Sequence, residues 1–197
     1  MGRSTRAQAD QNRVRIVDAA TGLFRDKGVT AVSIAEIMDA AGMTQGGFYK
    51  HFASKEALAA EACTQAFNLS IAAWQANTQS SSQEDGATML QQLVQYYLTE
   101  KAPDKTCPMI ALGQDAAGES PSQPFCQAYR KGAHQLFDTF LQVVSPEPNE
   151  RQREHLMLLF ASMVGANLLK RAVGNEPWIQ EMQQALMKNL LKEYIGD

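Results

Sequence analysis

Apolar residues recur along the chain every three to four positions. No stretch sustains a period of two, so the pattern predicts helices and no strands. Ile16, Ala19, Ala20, Leu23 and Phe24 line one face of a first helix ending at Gly28. Ile34, Ile37, Met38 and Ala41 line a second, shorter one. Ser33 with Glu36 fits a capping box at its start, and Gly42 fits a left-handed turn at its end. The chain restarts at once with Thr44 as N-cap. Met43 and Phe48 stand at the positions of a hydrophobic staple, and Phe48 and Phe52, four apart, set the buried face. Ser54 then caps a long helix to about Asn77, with Cys63, Phe67, Ile71 and Trp74 on one face.

Polar residues from Gln79 to Gly86 form a loop. Leu90, Leu93, Val94, Tyr97 and Leu98 mark the next helix, and a short one starts at Cys107-Pro108. Tyr129, Ala133, Leu136, Phe137, Phe140, Leu141 and Val144 form an apolar stripe that the prolines at 146 and 148 stop. From 150 to about 173 the chain is apolar on two sides: Leu156, Leu159, Phe160 and Met163 on one, Met157, Ala161, Val164 and Leu168 on the other. Both sides must be buried, the second against another copy or inside a larger core. Gly174 to Pro177 turn the chain into a last helix carrying Trp178, Met182, Leu186 and Leu190. The expectation is an all-α fold of nine helices.

Composition changes this picture little: 45% hydrophobic and 20% charged residues suit a globular chain. No apolar run approaches the ~20 residues of a membrane span, and no secretory segment follows Met-Gly-Arg-Ser-Thr-Arg. Cys63, Cys107 and Cys126 have no metal spacing and leave one unpaired, which fits a reducing cytoplasm. Charge is more telling. Residues 1–55 carry eight Lys/Arg against five Asp/Glu, a net of +3; residues 56–197 carry ten against sixteen, a net of −6. One end is therefore built to meet a polyanion. His51, His134 and His155 show no nucleophile, metal pair or phosphate loop at motif spacing, so no enzyme, metal or cofactor is expected. Asp115 and Glu119, four apart, read as a solvated face before a cation site.

Two short helices joined by a tight glycine turn match a helix-turn-helix. Its outward residues, Gln45, Gly46, Tyr49 and Lys50, suit a DNA groove between phosphate walls. The run from Thr44 through Phe48-Tyr49-Lys50-His51-Phe52 to Ser54-Lys55-Glu56-Ala57-Leu58 resembles the DNA-reading end of TetR-family transcriptional repressors, and Ile16 to Gly42 fits the same pattern. The resemblance is strong over about the first 60 residues. It implies a helix-turn-helix domain over 1–53, a ligand-binding and dimerisation domain over 54–197, and a homodimer through the last two helices on operator DNA. Gln45 would reach a base edge and Lys50 a guanine or a phosphate; Thr44, Tyr49, Lys55 and the Ser33 hydroxyl would position phosphates, and His51 would contact a phosphate or fill the helix corner. Gly46 and Gly47 are tolerated either for close approach to DNA or for tight helix packing. Residues 1–10, with Arg3 and Arg6, read as a polar tail that is a backbone contact or a frayed terminus. A helical adaptor without DNA binding is the alternative.

A small apolar or electrophilic effector would bind in the second part. Trp74, Tyr97, Phe125, Tyr129 and Phe137 offer aromatic lining, with Met109 and Met163 as adaptable apolar surface. Cys107, before Pro108 at a helix start with Lys101 and Lys105 nearby, is either a reactive thiol or a buried inert one.

Overall fold

The structure, a computed structural model, describes residues 6–78, 86–118, 120–145 and 147–195, excepting the side chains of 86–87 and 189–195. The expectations for Arg3, Gln79 to Asp85, Glu119 and the Leu190 side chain lie outside these. All described secondary structure is helical. The α-helices are α1 (Arg6–Lys27), α2 (Ile34–Ala40), α3 (Lys55–Thr78), α4 (Gly86–Leu98), α5 (Pro108–Ala111), α6 (Gly113–Gly118), α7 (Pro124–Val144), α8 (Glu150–Val173) and α9 (Pro177–Ile195). Two 3-10 segments add Gln45–Lys50 and Pro103–Lys105.

Three boundaries differ from the sequence reading. The first helix starts at Arg6, so the tail read over 1–10 is helical in its second half. The short helix after Cys107 breaks at Leu112 into α5 and α6. The segment after Thr44 is a 3-10 helix, because two adjacent glycines leave its first turn little α preference.

The chain forms two compact units, 1–69 with 101–133, and 70–100 with 134–197. In the first unit, Ile16, Ala20, Phe24, Ile37, Met38, Phe48 and Leu58 are fully buried around α1. The caps follow the sequence. Ser33 Oγ accepts from Glu36 N–H at 3.2 Å while Ser33 N–H donates to the Glu36 carboxylate at 2.8 Å, closing the capping box. α2 ends in a Schellman arrangement: Met43 N–H reaches Met38 C=O and Gly42 N–H reaches Asp39 C=O, both at 2.8 Å. Gly42 stands at φ +68°, and a Cβ there would lie 2.8 Å from Arg15 Nη2. The positive φ favours glycine there, while the Arg15 guanidinium is a flexible side-chain end that could give way.

The segment 101–133 completes this unit. Arg25 Nε, buried, donates to Thr106 C=O at 2.7 Å. Asp115 accepts from the backbone N–H groups of Val29 and Thr30 at 2.9 and 3.2 Å and from the Thr30 hydroxyl at 2.9 Å. The sequence reading of Asp115 as a solvated acid is thereby corrected. It caps the turn after α1 from 85 residues away, which no local pattern can announce.

The second unit is built on Leu93, Leu136, Phe140, Leu156 and Ile179, all fully buried. Trp74 meets Tyr97, Phe140 and Phe160 edge-on, with centroids 5.7, 6.4 and 6.3 Å apart. α8 is capped by Asn149 and Gln152 in a second capping box, and Pro177 opens α9. The two faces expected of α8 separate. Leu156, Leu159, Phe160 and Met163 are buried; Met157, Leu158, Leu168, Leu169 and Val173, with Trp178 beyond, are each at least 39% exposed. By length and composition alone α8 could cross a membrane, which the search for an unbroken apolar run did not register. Its ionisable side chains crowd its two ends, so between His155 and Lys170 it carries none.

Candidate functional site

The turn between α2 and α3 projects a polar surface from a fixed base. Phe48 and Phe52 are both buried, with rings 5.8 Å apart. Their four-residue spacing leaves Gln45, Gly46, Tyr49 and Lys50 exposed, as the sequence pattern requires. Tyr49 is 71% exposed, and its ring stands edge-on to Phe48 at 5.2 Å. The ring is thus braced by the core while its hydroxyl is free to reach outward. Thr44 is exposed in extended conformation and makes no side-chain cap. Its hydroxyl remains available to a ligand.

The two glycines differ. Nothing lies within 4 Å of a Cβ built on Gly46, whereas one on Gly47 meets Met38 Cε at 3.5 Å, an ordinary contact. Tight packing therefore does not account for Gly46.

Ser33, His51 and Lys55 flank this surface. The Ser33 hydroxyl also donates to Glu36 Oε2 at 2.8 Å, so its proton is already committed within the capping box. His51 is half-buried and closes the 3-10 segment, its N–H bonded to Phe48 C=O at 2.9 Å. Ser54 caps α3 through Ala57 N–H at 3.1 Å, which sets Lys55 on its first turn. The helix dipole adds partial positive charge there.

Two arginines hold the surface in register, and the sequence reading missed both. Arg13 lies 4.0 Å over the Phe52 ring, donates to His51 C=O and pairs with Glu61. It ties α1 to both ends of the Phe52 corner. Arg15 donates to Ala41 C=O at 2.6 Å, satisfying the end of α2. Their signal was only two basic residues on the polar side of a helix, which the surface of any helix can show.

The eight effector candidates fall in two groups. Cys107, Met109, Phe125 and Tyr129 belong to the first unit; Trp74, Tyr97, Phe137 and Met163 belong to the second. Tyr129 donates to Met109 C=O at 2.8 Å and stands edge-on to Phe67 at 5.5 Å. Burial pushes its hydroxyl up to about 12, with Cys107 and Cys63 adding to the shift. Burial likewise pushes the Cys63 thiol up to about 12, with Cys126 adding to it. Cys63 is thus a protonated, unreactive thiol at neutral pH. Cys126 is buried and donates to Ala116 C=O at 3.3 Å. Cys107 is 9% exposed and directly precedes α5, as expected, but α5 spans only four residues and brings the dipole of a single turn. In the second unit, Trp74, Tyr97 and Met163 are buried, and Phe137 is half-buried against Phe160 at 5.1 Å. Among the described residues, no group of His, Cys, Asp and Glu could hold a metal.

Residues 16–62 match the family model described as "Bacterial regulatory proteins, tetR family". Over 61 residues the chain is 43% identical to the HTH-type transcriptional regulator AcrR of Shigella flexneri, covering 31% of this chain and 28% of that regulator. It is 38% identical over 58 residues to the HTH-type transcriptional regulator TtgR of Pseudomonas putida, covering 29% of this chain and 28% of TtgR. The chain thus spans under a third of the length of these curated relatives. The fold is similar over nearly the whole chain to reduced NemR of E. coli, with a TM-score of 0.74 at 19% identity over 91% of this chain and 96% of that one. A transcriptional regulator of Cytophaga hutchinsonii gives a TM-score of 0.80 at 17% identity over 96% and 98% of the two chains.

Proposed function

We propose that this chain, which belongs to the TetR family of bacterial regulatory proteins, is a cytoplasmic homodimeric repressor that binds operator DNA through the 3-10 segment Gln45–Lys50. The observation that carries the reading is the exposed quartet Gln45, Gly46, Tyr49 and Lys50 on a base of buried phenylalanines. Gln45 reads a base edge through its amide; Tyr49, Lys50, Thr44 and Lys55 contact phosphates and set register. Gly46 and Gly47 let the backbone approach the duplex, and His51 supports the corner from below. Ser33 holds the start of α2 through its capping box. Residues 1–53 act as the DNA-binding domain and 54–197 as the ligand-binding and dimerisation domain.

Dimerisation runs through the exposed apolar face of α8 and through α9. A row of leucines, Met157, Val173 and Trp178 open to water is what a second copy would cover. Two recognition segments then enter successive major grooves about 34–36 Å apart on a near-palindromic site. A small apolar or electrophilic effector that favours a different spacing lowers operator affinity by its differential binding to the two states. Asp115 and Arg25 are the polar ties through which a shift of α5 and α6 reaches the turn after α1.

A gel shift with the DNA upstream of the chain's own gene tests this reading. Retardation that weakens steeply with salt supports it. No retardation of any fragment at low salt makes the chain a helical adaptor. The trigger is tested separately: Cys107→Ser abolishes release by an electrophile if the thiol is the sensor, and an unchanged response assigns release to reversible ligand binding.

A further inference from the structure

We infer that the groove between α4 and α9 is a binding site for a hydroxylated carboxylic acid the size of a sugar acid. The groove has a volume of about 640 Å³ and lies wholly within the second unit. Its walls are two glutamine stripes at helical spacing. Gln91 and Gln95 stand on α4, and Gln180 and Gln184 stand on α9 with Lys188 next in the same row. Gln183 lies beside that row, and its Nε2 is buried with no hydrogen-bond partner. No hydrogen bond joins the carboxamides of α4 to those of α9 among the described residues. The two walls face each other without closing on each other.

The chemistry of the lining selects a ligand. A carboxamide both donates and accepts, as a hydroxyl does, so opposed carboxamides suit a row of vicinal hydroxyls. Leu98 and Met187 provide the apolar patch on which the C–H face of a sugar rests. Among the described residues, Lys188 is the only ionised side chain in the lining, and no Asp or Glu lines the groove. A cation is therefore disfavoured and one negative charge is favoured. One flexible ammonium, with no guanidinium fork beside it, matches a carboxylate better than a phosphate.

The site differs from the apolar interior offered above for the effector, because none of the eight effector candidates lines it. It is also compatible with the dimer. At 100° per residue, Gln180, Gln184 and Met187 lie on the opposite side of α9 from Trp178, while Lys188 stands about 80° round from it. The inference does not rest on DNA binding, and its test uses binding alone.

Sodium D-glucuronate titrated into the full chain by calorimetry is the probe, with D-glucose and sodium acetate as controls that remove the charge or the hydroxyls. We expect saturable one-to-one binding of glucuronate, with both controls weaker by ~tenfold or more, one lost charged or multidentate contact each. Lys188→Ala should bring glucuronate down to the glucose level. Gln184→Ala, on an exposed face where folding is not at risk, should also weaken it. Absence of saturable glucuronate binding overturns the site. Binding undiminished in both Lys188→Ala and Gln184→Ala overturns it too. Acetate or glucose binding as tightly as glucuronate overturns the assigned ligand class.

Discussion

Gly132 on α7 is the tightest point of the first unit, and Gly132→Ala is the sharpest test of its packing. A Cβ built there would lie 2.2, 2.4 and 2.9 Å from Cδ2, Cγ and Cβ of Phe67 on α3, where ordinary contact begins near 3.4 Å. The ring could escape the first two clashes by rotating. It cannot escape the third, because rotation about the Cα–Cβ bond leaves Cβ where it is. α3 or α7 itself must shift by about half an ångström, in a region where Phe67 is 1% exposed and also packs against Tyr129. Overpacking of this kind costs ~1–3 kcal/mol, and a clash that reaches backbone belongs at the upper end. At ~2–4 °C per kcal/mol for a chain of this size, the melting temperature should fall by ~6–12 °C. Phe67→Ala alone should cost ~3–5 kcal/mol by leaving a cavity. The double variant is the decisive case: the ring contacts at 2.2 and 2.4 Å are gone and only the 2.9 Å contact with the Cβ of residue 67 remains, so the pair should lose clearly less stability than the two single losses added together. Thermal unfolding of the four proteins reads the cycle. A Gly132→Ala protein within ~0.5 kcal/mol of wild type, or strict additivity in the pair, would refute the packing argument.

Three further predictions follow from the site. Gly46→Ala should leave the fold intact or up to ~1 kcal/mol more stable, since the added methyl meets open space, yet should weaken DNA binding; equal affinity in an anisotropy titration would mean the backbone does not approach the duplex there. The Ser33 backbone N–H and then its hydroxyl, followed by Lys27, hold the Glu36 carboxyl below its usual value, so its contribution to stability is present above that value and is lost as pH falls through the lowered one. Glu36→Gln should therefore flatten that part of the acid limb of a stability-versus-pH curve; an unchanged limb would remove Glu36 from the account. Asp115→Ala should cost ~2 kcal/mol by stranding the turn at Val29 and Thr30. Amide exchange at those two positions should quicken while operator binding survives and effector release weakens; unaltered release would take Asp115 out of the coupling.

How much of this was legible in the sequence depends on how local each cause is. The capping box at Ser33 and the Gly42 turn were plain, because both ends of each interaction lie within a few residues. So were the Phe48–Phe52 spacing and Pro177. The capping box of Asn149 and Gln152 was equally local and was passed over, since the prolines before it already marked a break. The 3-10 character of Gln45–Lys50 was implicit in its two glycines. Asp115 and Arg25 were illegible, because their partners lie about 80 residues away and are backbone groups with no sequence of their own. Arg13 and Arg15 were hidden because their partners lie 26 to 48 residues away. Of the residues read as pocket lining, Trp74, Tyr97, Phe125 and Met163 are buried, and the chemistry of a core and of an apolar site looks alike in one dimension. The polar groove between α4 and α9 went unnoticed because glutamines on a helix surface read as plain solvation.

The central claim is that two copies of the Gln45–Lys50 surface meet one duplex at a spacing fixed by the dimer. Hydroxyl-radical footprinting on DNA upstream of the gene, with wild type and a Tyr49→Ala/Lys50→Ala protein, tests it most directly. The account predicts two protected half-sites centred about 10–10.5 base pairs, or a multiple, apart, both lost in the double variant while its melting temperature is kept. A single protected patch, or a footprint that survives the double substitution unchanged, would contradict it.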